Sequence, residues 1–315
     1  MVSFGFCTRE QYLRAGESRR RAGARVAYGL LDVGESPTEE EIRAFEDISF
    51  TMRGPQGTFR TTFRHRFVDV DAAAMKWMKR SYAADCEVEI QDRAVSNGLT
   101  SWEWAEQVFR EYSRAQFEAS DTLIELIELS RGREAYILEP GGSPIQYVRP
   151  PFAVPLAHSE AKRYPVNRLI ALWARRRFAQ LRLGGNWLET APKLGWQVRR
   201  ISCIHPLARE LGRRNARFKF RLRDVFDQSE GSCDVLRTMN IFNRGYFRAE
   251  ELARGADAAF HSLRPGGIWI VGRTLEDDFS NHASFLRRSE SGWGLLDRIG
   301  TGWEMESAAL GGVWR

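Results

Sequence analysis

At 315 residues, with 43% hydrophobic and 28% charged residues, the chain is long enough for a full α/β domain plus an insertion, and its composition is that of a soluble globular protein. The net charge is +6, but the basic residues are spread along the chain and only five are lysines (76, 79, 162, 193 and 219), so no tract reads as a nucleic-acid arm and nucleic acid is not the expected partner. Four dispersed cysteines without a C-x-x-C pair argue against a zinc site or a disulfide framework, and the absence of a signal pattern or a transmembrane-length apolar run makes a cytoplasmic, metal-free chain the expectation.

In chain order, residues 1–83 read as a mainly helical N-terminal cap. Residues 8 to 31 suggest one or two Arg-rich helices. Ser36-Pro37-Thr38-Glu39 opens another, with Ser36 as N-cap and Glu39 closing a capping box. Gly54-Pro55-Gln56-Gly57 is a turn, Thr58 to Val70 is extended, and Asp71 to Tyr82 is helical. His65, among arginines, reads as a solvated side chain.

The stretch from Glu87 to Glu106 carries the strongest local pattern. A β-prone segment, Glu87 to Gln91, stops at Asp92. A turn of small residues follows (Ala94, Ser96, Asn97, Gly98), and then a helix opening at Thr100 or Ser101 with Glu103 as capping-box partner. A strand, a small-residue turn and a helix are how an α/β sheet brings bare backbone and a helix N-terminus to a nucleotide-like ligand. Ala115 to Ser120 forms a second strand ending at Asp121, 23 residues past Gly98. An acid at that place either holds a nucleoside ribose through both hydroxyls or caps the next segment.

The span from about 122 to 197 reads as an insertion: strands at 123–129, 136–138 and 145–148, then a basic amphipathic helix over 164–183. Its apolar residues Val166, Leu169, Ile170, Trp173, Phe178 and Leu181 share a face that should pack on the domain, while its arginines admit peripheral membrane contact. Beyond it, strands at 198–204, 217–222, 234–239 and 268–271 alternate with helices, and 281–286 pairs with 293–299 as a terminal hairpin. Alternation of this kind argues for a doubly wound, mostly parallel α/β sheet.

Three motifs in order resemble the class I S-adenosylmethionine-dependent methyltransferase family. They are Ile90-Gln-Asp92-Arg-Ala94-Val-Ser96-Asn-Gly98, the strand running into Asp224-Val225-Phe226, and Cys233 to Asn240 followed by a helix and Leu263-Arg-Pro-Gly-Gly. The resemblance covers about residues 85 to 305. It implies a Rossmann-like domain over 84–315 with a seven-stranded-type sheet, S-adenosyl-L-methionine as cofactor, and methyl transfer to a small-molecule acceptor by SN2 displacement. It further implies that Asp92, Ala94, Ser96, Asn97 and Gly98 contact the methionine part through backbone groups, that Asp121 holds the ribose and that Asp224 and Val225 flank the adenine. Asn240 to Asn243 would face the methyl group. His282, after the fifth strand, is placed to act as base, and Tyr246 to line the substrate site. The chain departs from the family in having one glycine where two or three are common, and in Arg93, which follows the acid. A second segment, ending at His205-Pro206, competes with Asp121's strand for the second place in the sheet. The alternatives are an inactive methyltransferase-like scaffold and an RNA methyltransferase; a homodimer is compatible with either.

Overall fold

The structure, a computed structural model, describes residues 5–15, 25–52, 62–156, 165–181, 183–228 and 230–312. The turn expected at 54–57 lies outside them. The chain divides into two compact units, Met1–Thr61 with Leu123–Pro206, and Thr62–Thr122 with Leu207–Arg315. Residues 62–83, expected within an N-terminal cap, therefore belong with the larger sheet, and the earlier residues belong with the insertion.

In the first unit, β1 (Gly5–Phe6) pairs in parallel with β2 (Arg25–Val26), with α1 (Arg9–Arg14) between them in the chain and α2 (Glu39–Thr51) after them. The capping box of α2 sits two residues later than the sequence suggests. Thr38 is the N-cap and Glu41 returns the bond, because Glu41 is the carboxylate three residues into the helix. The insertion is a five-stranded antiparallel sheet in the order β8-β7-β6-β5-β9, with β5 Glu125–Arg131, β6 Glu134–Leu138, β7 Pro144–Arg149, β8 Phe152–Pro155 and β9 Gln197–Ser202. The expectation that 198–204 continues the main sheet is corrected: β9 pairs with β5. Helix α5 (Pro165–Gln180) precedes the short α6 (Trp187–Lys193). One core gathers Tyr12, Leu31, Phe45, Leu126 and Ile201, and another gathers Tyr136, Tyr147, Trp187 and Trp196.

The second unit is built on seven strands: β3 Glu89–Arg93, β4 Gln116–Asp121, β10 Phe218–Leu222, β11 Cys233–Met239, β12 Leu263–Thr274, β13 Asn281–Ser289 and β14 Gly292–Ile299. Their order is β10-β4-β3-β11-β12-β13-β14. The first five are parallel, and β13 is antiparallel to both of its neighbours. Counted within the sheet, the order is 3-2-1-4-5 and then the hairpin, so the winding reverses between β3 and β11, where such sheets bind ligands at their carboxyl ends. The unit's helices are α3 (Val68–Ser81), α4 (Leu99–Glu111), α7 (Pro206–Arg214), α8 (Ala249–Ser262) and α9 (Glu306–Gly311). Gly98, in the left-handed region, caps α4 in place of the expected Thr100, which lies buried inside the helix. Helix α8 turns Leu252, Gly255, Ala256 and Ala259 inward, and Gly255 leaves room for the ring of Phe242. Trp269, fully buried, stacks among Phe242, Trp293 and Trp303 and donates its indole N–H to Thr238 Oγ1 at 2.8 Å. No described helix is long and apolar enough to cross a membrane.

Candidate functional site

The turn after β3 keeps the backbone shape of a glycine-rich loop without its glycines. Ala94, Ser96 and Gly98 have φ of 59°, 60° and 76°. A side chain in the left-handed region costs about 1–2 kcal/mol, so Ala94 and Ser96 hold strained positions. The turn is pinned by Val95 N–H to Ser120 O (3.2 Å), Ser96 N–H to Asp121 Oδ2 (2.7 Å) and Leu99 N–H to Asn97 Oδ1 (3.0 Å). Gly98 serves close packing: a Cβ there would stand 2.1 Å from Phe220 Cζ.

Register brings the candidate residues into one row. Asp121 ends β4 opposite Leu222 of β10, and Arg93 ends β3 opposite Ser120 of β4. The competition for the second-strand acid is thereby resolved in favour of Asp121, because the strand before His205 lies in the other unit. Asp224 follows β10 and is exposed. Its Oδ1 accepts from Phe226 N–H (2.9 Å) and its own N–H donates to Asp227 Oδ2 (3.1 Å). Val225 beside it is buried. Asn240, left-handed at φ 62°, closes β11, and its Oδ1 accepts from Thr274 N–H (2.6 Å). Along the carboxyl edge the order is thus Asp224, Asp121, the 94–98 turn and Asn240.

The Asp92 side chain has a task of its own. It is 3% exposed and takes a two-pronged bond from Arg237, Nε to Oδ1 at 3.0 Å and Nη2 to Oδ2 at 2.5 Å. Ser101 Oγ donates to the same carboxylate at 2.6 Å. Arg237 also pairs with buried Asp71 and lies 4.4 Å from the Trp104 ring centroid and 5.3 Å from that of Phe67. Burial opposes the charge on Arg237, but the carboxylates of Asp92 and Asp71 override it and hold its pKa above the ordinary range. Burial pushes Asp71 up to about 7 against the pull of Arg237. The Asp92 side chain is therefore a member of an internal ion cluster. Arg237 and Asp71 are absent from the sequence expectation, yet a signal exists: an arginine among the apolar residues of the central strand Cys233–Met239 requires buried partners.

The two catalytic candidates are not brought to a common point by any contact. His282 opens β13 beside β12, with Nδ1 accepting from Thr301 N–H (2.9 Å) and Nε2 lying 3.1 Å from Ser280 Oγ. Both ring nitrogens thus have polar partners within the protein. Tyr246 is 41% exposed in the loop after β11. Asn243 turns its amide onto its own loop, Oδ1 accepting from Gly245 N–H at 3.0 Å. A polar cluster that sequence reasoning passes over stands near the ends of β11 and β12. Arg66 Nε donates to Thr274 Oγ1 (3.1 Å), Thr274 Oγ1 to Asn281 Oδ1 (2.8 Å), and Asn281 Nδ2 to Asp69 Oδ1 (2.6 Å). Burial pulls the Arg66 guanidinium down to about 10. Its partners lie more than 200 residues away in the chain, and no local pattern marks them.

No protein-family model and no curated protein matches the sequence. Among solved structures the chain is similar to the CurJ carbon methyltransferase (8% identity, 67% of this chain and 35% of that one, TM-score 0.32). It is also similar to an O-methyltransferase family protein from Burkholderia thailandensis (14%, 76% and 43%, TM-score 0.31). A third is phosphoethanolamine N-methyltransferase 2 of Haemonchus contortus in complex with S-adenosyl-L-methionine (12%, 67% and 30%, TM-score 0.31). The chain spans less than half the length of each. At these identities the likeness is one of fold alone. The seven-stranded unit is, by its own strand order, a doubly wound and mostly parallel α/β sheet.

Proposed function

We propose that the seven-stranded unit binds S-adenosyl-L-methionine along its carboxyl edge and transfers the methyl group to a small-molecule acceptor. The observation that carries this reading is the row Asp224, Asp121, 94–98 turn, Asn240 across four adjacent strands. Asp224 would meet the adenine, Asp121 the ribose and the 94–98 turn the methionine part, with Asn240 at the end of β11 facing the methyl on the sulfur that joins ribose and methionine. The donor set fits in part. Asp224 offers an exposed carboxylate for an adenine amine and Val225 an apolar neighbour, while Asp121, at the ribose place, is 7% exposed and already takes Ser96 N–H on Oδ2. The Asp92 carboxylate is taken up by Arg237 and Ser101. When bound, the cofactor supplies an already activated sulfonium, so the protein's work is to align the acceptor. His282 and Tyr246 enter this reading as an orienting and a lining residue.

The second reading is a cofactor-binding scaffold without transfer, favoured by the polar partners that both His282 nitrogens have within the protein. Titration calorimetry with S-adenosylhomocysteine tests the first step. Micromolar binding that weakens at least tenfold in Asp224→Ala, with unchanged thermal stability, supports the cofactor row. Lack of binding at millimolar ligand rejects both readings. Binding without turnover against a panel of small hydroxyl, amine and carbon acids leaves the scaffold.

A further inference from the structure

The five-stranded unit carries a second feature, which lies wholly within that unit. Helix α5 seats itself on the sheet through small side chains: Asn167, Ala171 and Ala174 are its buried residues. Ile170 and Phe178 pack half-buried against the same core, but four large apolar residues stay outside, with Leu169 67%, Trp173 45%, Leu172 43% and Val166 38% exposed. A surface helix ordinarily turns such residues inward, and a contiguous exposed apolar patch marks a binding surface. Here the patch is also concave. A cavity of about 430 Å³ is lined by Tyr147 and Phe152 from the sheet and by Leu169, Ile170 and Trp173 from the helix, with Arg149 beside it. That volume lies within the roughly 300–1,000 Å³ of small-molecule sites.

The charges at the cavity are one-sided. Arg177, on the same helix, is neutralised by Glu134 through bonds of 2.8 and 3.1 Å and lies 5.3 Å from the Trp173 ring centroid. Arg149 is exposed beside Tyr147, whose hydroxyl donates to Glu134 Oε1 at 3.4 Å, and among the described residues no carboxylate forms an ion pair with Arg149. Tyr147 is itself fixed, buried against Tyr136 (5.0 Å between centroids) and Trp173 (5.7 Å). The guanidinium therefore stands at the edge of an aromatic pocket, and among the described residues it forms no direct ion pair with a carboxylate. A planar fork of N–H donors suits a carboxylate.

We propose that this cavity binds an amphiphilic carboxylate, its aliphatic or aromatic body against Tyr147, Phe152, Leu169 and Trp173 and its carboxylate on Arg149. Calorimetric titration of the full chain with octanoate, octan-1-ol and decanoate tests it. Saturable binding of octanoate, tighter with decanoate and at least tenfold weaker with octan-1-ol, is expected. Arg149→Gln should erase the preference for the acid over the alcohol. Leu169→Glu, at a position exposed enough to leave the fold intact, should weaken octanoate at least tenfold with the same thermal midpoint. Equal affinity for acid and alcohol, or octanoate binding indifferent to both substitutions, would overturn the assignment. So would the absence of carboxylate binding together with flotation on phosphatidylcholine–phosphatidylglycerol vesicles that Leu169→Glu abolishes, which would make the patch a membrane contact. A concentration-dependent dimer dissociated by Leu169→Glu, again without carboxylate binding, would make it a self-association surface.

Discussion

Two acids at the carboxyl edge of the same sheet have opposite fates. Asp92, at the end of β3, is sealed from water and held by Arg237 and Ser101. Asp224, just past β10, is exposed, and its carboxylate accepts from the Phe226 N–H of its own turn. In the sequence each is an acid ending a β-prone run, and the family resemblance assigns both to the cofactor. The difference is what stands opposite. Strand β11 pairs with β3 so that Arg237 is directly across from Asp92, and a buried arginine requires that carboxylate. Beyond β10 the sheet ends, so no facing strand captures Asp224.

The contrast can be broken experimentally, and the largest effect belongs to the buried acid. Asp92→Ala leaves Arg237 short of a partner inside the fold and should cost about 3–5 kcal/mol, read by urea unfolding. Loss of ligand binding in that variant would therefore report on folding, and Asp224 is the position that reports on the site. Gly98→Ala should cost about 1–3 kcal/mol from its positive φ and its overlap with Phe220, and Phe220→Ala in the same chain should recover part of it.

Asp71 sharpens the comparison through pH. Its folded pKa, near 7, stands above that of the unfolded chain, so the folded state binds the proton more tightly. Its contribution to stability is complete below about pH 4 and is lost as the pH rises through 7. Stability measured between pH 4 and 8, wild type against Asp71→Asn, should show this falling component in the wild type alone. Ala94→Gly and Ser96→Gly should each stabilise the second unit by about 1 kcal/mol, because glycine accepts the left-handed backbone that the turn imposes. A loss in either variant would mean that the native side chain is needed there. The smallest effect is expected at Asp224→Ala, within about 0.5 kcal/mol in thermal unfolding.

The sheet was legible because periodicity and turn chemistry act locally. The strands at 89–93, 116–121, 218–222 and 233–239, the helix after Gly98 and the terminal hairpin all follow from short patterns. The insertion was visible as an interruption, but the partner of β9 was not, since an apolar strand beside a helix fits either sheet equally well. Helix α5 misled for a related reason. Its apolar periodicity is real, but the choice of buried face was made by the close approach of Ala171 and Ala174 to the sheet, which no hydrophobic pattern foretells.

By itself, the sequence determined the doubly wound class, the place of the small-residue turn and the acids at the strand ends, since these depend on neighbours a few residues apart. The tertiary structure decided which acid is buried and which is open, how Arg237 is neutralised and where Arg149 keeps its charge. Those outcomes depend on groups that strand order brings together across more than a hundred residues, and burial then sets the stability of each charge.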